Sequence, residues 1–114
     1  MITADINVLA EATVKQAVVE ATRTTQNYLA RHGEGACGFS WVDIYGVRSN
    51  SVLGKALIAN GFRKDSCDRS LKFWSPDQTT TQSVDAKEAG ARAFVTVMKN
   101  SFDNIKIYAG SRLD

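Results

Sequence analysis

Hydrophobic residues recur at helical spacing in the N-terminal third of the chain. Between Thr13 and His32, apolar or small side chains return every three or four residues and form one stripe, made of Val14, Val18, Ala21, Thr25, Tyr28 and Leu29. This pattern predicts an amphipathic helix, which Gly33 ends as a left-handed C-cap. Thr3 and Asp5 can cap an extra turn before it, and the pattern leaves open whether the two pieces are continuous.

Two further helices are bounded by residues typical of helix ends. Ser49, Asn50 and Ser51 are alternative N-caps for a helix that carries Val52, Leu53, Ala56, Leu57 and Ile58. Asn60-Gly61 ends it, and Phe62 is placed to fold back onto its last turn. Ser83 caps the third helix, from Val84 to Ser101, on which Ala86, Ala89, Gly90 and Ala93 form a groove of small side chains. That groove predicts close approach of a sheet or a partner.

Four shorter segments are rich in β-branched and aromatic residues and alternate with period two: Phe39 to Tyr45, Phe62 to Ser66, Leu71 to Ser75 and Ile105 to Ala109. From Phe39 onward the order is therefore strand, helix, strand, strand, helix, strand. This order predicts an α+β fold, a ferredoxin-like βαββαβ sandwich with an additional N-terminal helix. The 114 residues form a single domain, with residues 1–34 as the N-terminal helical segment and 35–114 as the α+β core.

The period-two alternation puts aromatic and charged side chains on the second face of the predicted sheet: Trp41, Asp43, Tyr45, Lys72, Trp74, Lys106 and Tyr108. In a split β-α-β fold both crossover helices cover one face, which leaves this second face open. Aromatics interleaved with lysines there can stack nucleic-acid bases. Alternatively, the N-terminal helix lies across this face, or two subunits pair through it. We expect Trp41 and Trp74 to share the face on nearby strands.

A second candidate site lies where the first strand leads into the second helix. Helix N-termini present unpaired N–H groups to an anion, and Arg48 and Lys55 add positive charge. The sequence thus predicts an anion site formed around Ser49, Asn50 and Ser51. Structural capping is the alternative role for these three residues.

Two resemblances cover parts of the chain. The segments DAKEAGARAF, YAGSRLD, ACGFSWVDIYG and LGKALIANGFRK resemble a family of small uncharacterised proteins from tailed phages, notably those infecting cyanobacteria. This resemblance implies a virus-encoded protein and carries no activity with it. The spacing of Asn50, Leu53, Ala56, Leu57, Gly61 and Phe62 resembles the helix-to-hairpin segment of acetyl-CoA-dependent N-acetyltransferases. It implies acyl transfer as a less favoured alternative.

The chain offers few groups for catalysis or metal binding. Residues 35–41 are similar to the nucleophile segment of papain-like proteases but place Ser40 at the nucleophile position. The single histidine, His32, is expected to be a solvated or capping residue near a helix end. Cys37 and Cys67 are expected at opposite ends of the sheet as free thiols. We therefore expect no catalytic residue, metal or cofactor.

Composition sets the remaining expectations. The chain is 44% hydrophobic and 23% charged with a formal charge of +2, which is typical of a globular domain and too balanced for a dedicated nucleic-acid binder. It has no apolar run of membrane-spanning length and no signal-peptide pattern, so we expect a cytoplasmic protein, in the host cell if viral. We expect a non-enzymatic phage accessory protein, a homodimer that binds a host protein or small anionic ligand. Single-stranded nucleic-acid binding is the alternative.

Overall fold

The computed structural model describes residues 3–114, with side chains from Asp5 onward. It is an α+β structure with three helices and a four-stranded antiparallel sheet. The helices and strands follow one another as α1 (Thr3–His32), β1 (Gly38–Tyr45), α2 (Val52–Ala59), β2 (Arg63–Lys64), β3 (Leu71–Trp74), α3 (Val84–Ser101) and β4 (Lys106–Leu113). None of the helices in this described part is long and apolar enough to cross a lipid bilayer.

The helix ends agree closely with the sequence predictions because they are set by local capping. Ser51 is the N-cap of α2, where its hydroxyl accepts a hydrogen bond from the Gly54 N–H at 3.0 Å. Ser83 caps α3, which runs over the predicted residues. Gly33 has a φ of +72° and its N–H donates to Leu29 O, as expected of a left-handed C-cap. The α1 helix is continuous from Thr3, so the extra turn is part of it.

The strands lie in the order β2-β3-β1-β4, and every neighbouring pair is antiparallel. Strand lengths differ from the predictions: β2 has only two residues, whereas β4 continues beyond Ala109 to Leu113. The extension is stabilised by pairing, because Gly110, Ser111 and Arg112 lie opposite Trp41, Ser40 and Phe39. Residues beyond the predicted end of the strand are thus part of the sheet.

The position of α1 corrects one expectation. The helix does not lie across the second face of the sheet: it packs on α3 and α2, on the side of the sheet that these helices occupy. The contact is close at Gly90, where an added Cβ would lie 2.2 Å from Thr25 Oγ1 and 2.9 Å from Ala21 O. The Thr25 hydroxyl donates to Ala86 O across the same crossing. The small-residue groove of α3 therefore receives α1.

The core lies between the sheet and these helices. It contains the aliphatic faces of β1 and β4 and three aromatic rings in mutual contact, those of Phe62, Phe73 and Phe94. A buried ion pair ties the loop after β3 to α3, because Lys87 Nζ lies 3.3 Å from Asp77 Oδ1. All of these groups lie on one side of the sheet, which leaves the other side to solvent.

Candidate functional site

The open sheet face is the side of the sheet that faces away from the helices. It is defined by Phe39, Trp41, Asp43, Tyr45, Arg63, Lys72, Trp74, Lys106, Tyr108, Gly110 and Arg112. No described helix packs on it. Trp74 and Tyr108 keep 50% and 54% of their surface exposed, which is unusual for large aromatic side chains. The face thus presents apolar ring area directly to solvent.

Two tryptophans form the centre of the open sheet face. Trp41 and Trp74 lie directly opposite on β1 and β3, with ring centroids 5.1 Å apart. This confirms the prediction that they share one face. The Trp41 indole lies across Gly110 on β4, where an added Cβ would be 2.6 Å from the ring. Its Nε1–H donates to Asp43 Oδ2 at 2.9 Å, which fixes the ring's orientation.

Two further aromatic side chains extend the face along β1 and β4. Tyr45 and Tyr108 have ring centroids 6.0 Å apart. At the other end of β1, the Arg112 guanidinium carbon lies 5.2 Å from the Phe39 ring centroid, within the range of a cation–π contact. Aromatic side chains therefore line the open sheet face along the whole of β1. The register of β1 with β3 and β4 determines which rings are neighbours.

Lys72 is the centre of an ionic cluster beside these rings. Its ammonium donates to Asp43, lies 3.0 Å from Asp68 Oδ2 and lies 3.6 Å from Asp65 Oδ2, while its side chain is only 11% exposed. Burial alone lowers the pKa of Lys72, but hydrogen bonds to Asp43 and Asp68 outweigh it and raise the pKa above 10.5. Lys72 is thus occupied within the protein and is not available to a phosphate.

The pKa of Asp68, one carboxylate of this cluster, is shifted in the opposite direction. Hydrogen bonds from the Ser70 hydroxyl and from Lys72 lower the pKa of Asp68 from 3.8 to about 2. Partial burial, together with the negative charges of Asp43 and Asp68, raises the pKa of Tyr45 above 10.0. Asp68 and Lys72 are therefore charged near neutral pH, and the Tyr45 hydroxyl beside them stays protonated.

Three cations on the open sheet face remain available. Arg63, Lys106 and Arg112 are exposed, and none of them makes an ion pair with a described residue. Arg63 pairs across from Lys72, Lys106 from Tyr45, and Arg112 from Phe39. They lie at the periphery of the aromatic surface.

The predicted anion site borders a separate concavity, which we call the basic cleft. It has a volume of about 680 Å³ and is lined by residues 46–50, Lys64, Ser66, Arg69 and Leu71. Arg48, Ser49 and Asn50 line it as the sequence suggested. Ser51 serves as the helix cap, and Lys55 is exposed on α2 outside the cleft lining. The structure thus brings three of these five residues into one cleft.

Sequence reasoning missed several residues of both surfaces. Gly110 and Arg112 continue the alternation of Tyr108, and extending the period-two pattern to the end of the chain would have found them. Lys64 and Arg69 reach the basic cleft from the β2–β3 hairpin. No local signal indicates this, because the hairpin meets the β1–α2 loop only in the folded chain.

The residues considered for catalysis lie in surroundings that do not suggest it. Ser40 is fully buried on the core face of β1, and its hydroxyl has no hydrogen-bond partner among the residues that the structure describes. His32 stacks on Tyr28 at the end of α1 with ring centroids 4.4 Å apart. Cys37 and Cys67 are exposed free thiols. Within residues 3–114, no group of three or more His, Cys, Asp or Glu side chains is arranged so that it could hold a metal ion.

No protein-family model, curated protein or solved structure matches this chain.

Proposed function

We propose that this protein binds single-stranded nucleic acid on the open sheet face and catalyses no reaction. One observation carries the proposal: four aromatic side chains stand in two contacting pairs on a sheet face that no described helix covers. Unpaired bases stack on such rings, and stacking tolerates any sequence because every base has a π-face.

Stacking supplies most of the expected affinity. A base on an aromatic side chain is worth about 1–3 kcal/mol, so two or three bases on this face are sufficient for measurable binding. Trp41 is held by Gly110 below it and by Asp43 at its Nε1, so little of its freedom remains to be lost on binding. The ring is preorganised for a stacking partner.

Charge contributes less than in a strongly basic binder. Lys72 and its three carboxylates leave the cluster with an excess of negative charge, which Arg63, Lys106 and Arg112 offset at the periphery. With about three phosphate contacts, the logarithm of the binding constant should fall with the logarithm of salt concentration with a slope of roughly −2. This modest slope agrees with the small net charge of +2.

We also propose a finer description of the fold and a setting for the function. The strand order is β2-β3-β1-β4, with β3 between β1 and β2 and with β1 between β3 and β4. The units β1-α2-β2 and β3-α3-β4 are thus interleaved, as in a ferredoxin-like sandwich. The two-residue β2 and the long α1 depart from its regular form. The resemblance to tailed-phage proteins supports a virus-encoded accessory protein that acts in the cytoplasm of its host.

The experiment is a titration of tryptophan fluorescence with short oligothymidine, with binding of the same strand to variants measured in parallel. We expect quenching in the wild type, because bases stack on Trp41 and Trp74. Trp74→Ala and Tyr108→Ala should each weaken binding about five- to 150-fold, the range of one lost stacking contact. Tyr28→Ala is the matched control, since Tyr28 is an aromatic residue on α1, away from the open sheet face.

Two outcomes would overturn the proposal. If Tyr28→Ala weakens binding of the strand as much as Trp74→Ala does, the open sheet face is not the binding site. A dimer mass in light scattering that becomes monomeric in Trp74→Ala, with no binding of the strand by the wild type, would assign the face to a second copy of the chain instead.

A further inference from the structure

The basic cleft carries an excess of positive charge from separate parts of the chain. Arg48 comes from the β1–α2 loop, Lys64 from β2 and Arg69 from the hairpin that follows it. None of the lining residues is acidic. Three cations that converge on one concavity repel one another, and an anion between them relieves that repulsion.

Arg48, Lys64 and Arg69 make no ion pair within the part of the chain that the structure describes. The nearest acids along the chain, Asp65 and Asp68, direct their carboxylates to Lys72 on the open sheet face. The acidic side chains of the hairpin therefore lie beside Lys72, while its basic residues Lys64 and Arg69 line the basic cleft.

We propose that the basic cleft binds a phosphate group. A phosphate dianion matches three converging cations better than a singly charged carboxylate does, and the arginine forks of Arg48 and Arg69 suit its oxygens. The volume of about 680 Å³ is that of a small-molecule site, so a phosphomonoester such as a mononucleotide fits as well as inorganic phosphate. The same chemistry would also accept a backbone phosphate of a bound strand.

The phosphate site does not require the N-terminus of α2. The Ser51 hydroxyl already satisfies the Gly54 N–H, so that donor is used inside the protein. What α2 contributes is close packing: a Cβ at Gly54 would lie 1.9 Å from Arg48 O. Gly54 therefore lets the Arg48 backbone lie directly against the helix, which holds one wall of the cleft in place.

The test measures binding of inorganic phosphate by calorimetry at constant ionic strength, first to the wild type and then to Arg48→Gln and Lys64→Gln. Each variant removes one lining charge and should weaken phosphate binding about ten- to a hundredfold. Lys55→Gln is the matched control, because it removes the same charge from α2 at a position outside the lining. Circular dichroism confirms that each variant is folded.

Mononucleotide and oligothymidine arms distinguish the sources of the phosphate. Mononucleotide binding that is lost in Arg48→Gln assigns the cleft to a free ligand. If the wild type binds inorganic phosphate but no mononucleotide, and strand binding weakens in Arg48→Gln, the cleft holds a backbone phosphate. Tyr108→Ala separates the two surfaces, because it should leave phosphate binding unchanged even if strand binding fails. No phosphate binding by the wild type, or equal weakening in Lys55→Gln, would overturn the proposal.

Discussion

At the residue scale, Gly110 determines how the Trp41 ring lies. Gly110→Ala puts a methyl group where the indole rests, because the Cβ would be 2.6 Å from ring atoms. The ring must move, so we expect a loss of about 1–3 kcal/mol in the free energy of unfolding. Urea denaturation measures this. Gly35→Ala is the control, since its Cβ would meet no atom closer than 3.5 Å and should leave stability nearly unchanged. Equal stabilities of the two variants would contradict this role of Gly110.

The Lys72 cluster predicts loss of stability at both ends of the pH scale. Asp68 has a folded-state pKa of about 2 against 3.8 unfolded, so its contribution is complete above pH 3.8 and is lost as pH falls toward 2. The raised pKa values of Lys72 and Tyr45 act in the other direction: their contributions are present below 10.5 and 10.0 and are lost as pH rises further.

Urea midpoints measured across pH check this prediction. Ser70→Ala removes the 2.7 Å hydrogen bond from the Ser70 hydroxyl to Asp68, which lowers the pKa of Asp68, and should move the acid loss of stability to higher pH. Asp68→Asn should flatten the acid side and reduce the alkaline loss, because Lys72 then has one carboxylate fewer. A wild-type profile in Asp68→Asn would show that the cluster does not contribute to the pH dependence.

At the scale of elements, Gly90 permits the crossing of α1 and α3. Alanine is favoured over glycine in a helix by about 1 kcal/mol, but here its methyl group would meet Thr25 Oγ1 at 2.2 Å and the Ala21 carbonyl. Separation of the helices costs more than the propensity gains, so we expect Gly90→Ala to lower the free energy of unfolding by about 1–3 kcal/mol. Thr96→Ala on the exposed side of α3 is the control. A stabilised Gly90→Ala would contradict the close crossing.

Elements set by local residues were predictable from the sequence, whereas elements set by tertiary contacts were not. The ends of α2 and α3 were predictable because Ser51, Asn60 and Ser83 set them locally. The length of β4 was not, because Gly110 becomes part of a strand only through pairing with Trp41. The place of α1 was also missed: its stripe fits a sheet or a helix equally well, and only the fit of Thr25 against Gly90 selects α3.

At the scale of the whole molecule, internal packing changes the reasons for expecting a dimer. That expectation drew on three apolar surfaces: the α1 stripe, the small-residue groove of α3 and the aromatic face. The first two pack against each other within one chain. The open sheet face is then the surface left for a partner, and the dimer remains a prediction that rests on it alone.

The candidate sites follow the same division between local pattern and tertiary contact. Alternation along single strands was enough to place Trp41, Tyr45, Trp74 and Tyr108 on one face. It could not indicate that Lys72 would be enclosed by three carboxylates, because Asp43 comes from another strand. The separation of acidic and basic side chains around the hairpin is a property of the fold and of no single segment.

Chemical-shift mapping tests the central claim most directly. Backbone amide spectra of the wild type are recorded during titration with short oligothymidine. We predict that the largest shifts fall in β1, β3 and β4, around Trp41, Trp74 and Tyr108, with the outer surface of α1 around Val19 unaffected. Shifts that cluster on α1 would contradict single-stranded nucleic-acid binding by the open sheet face. So would a titration to saturating strand concentrations that produces neither amide shifts nor quenching of tryptophan fluorescence.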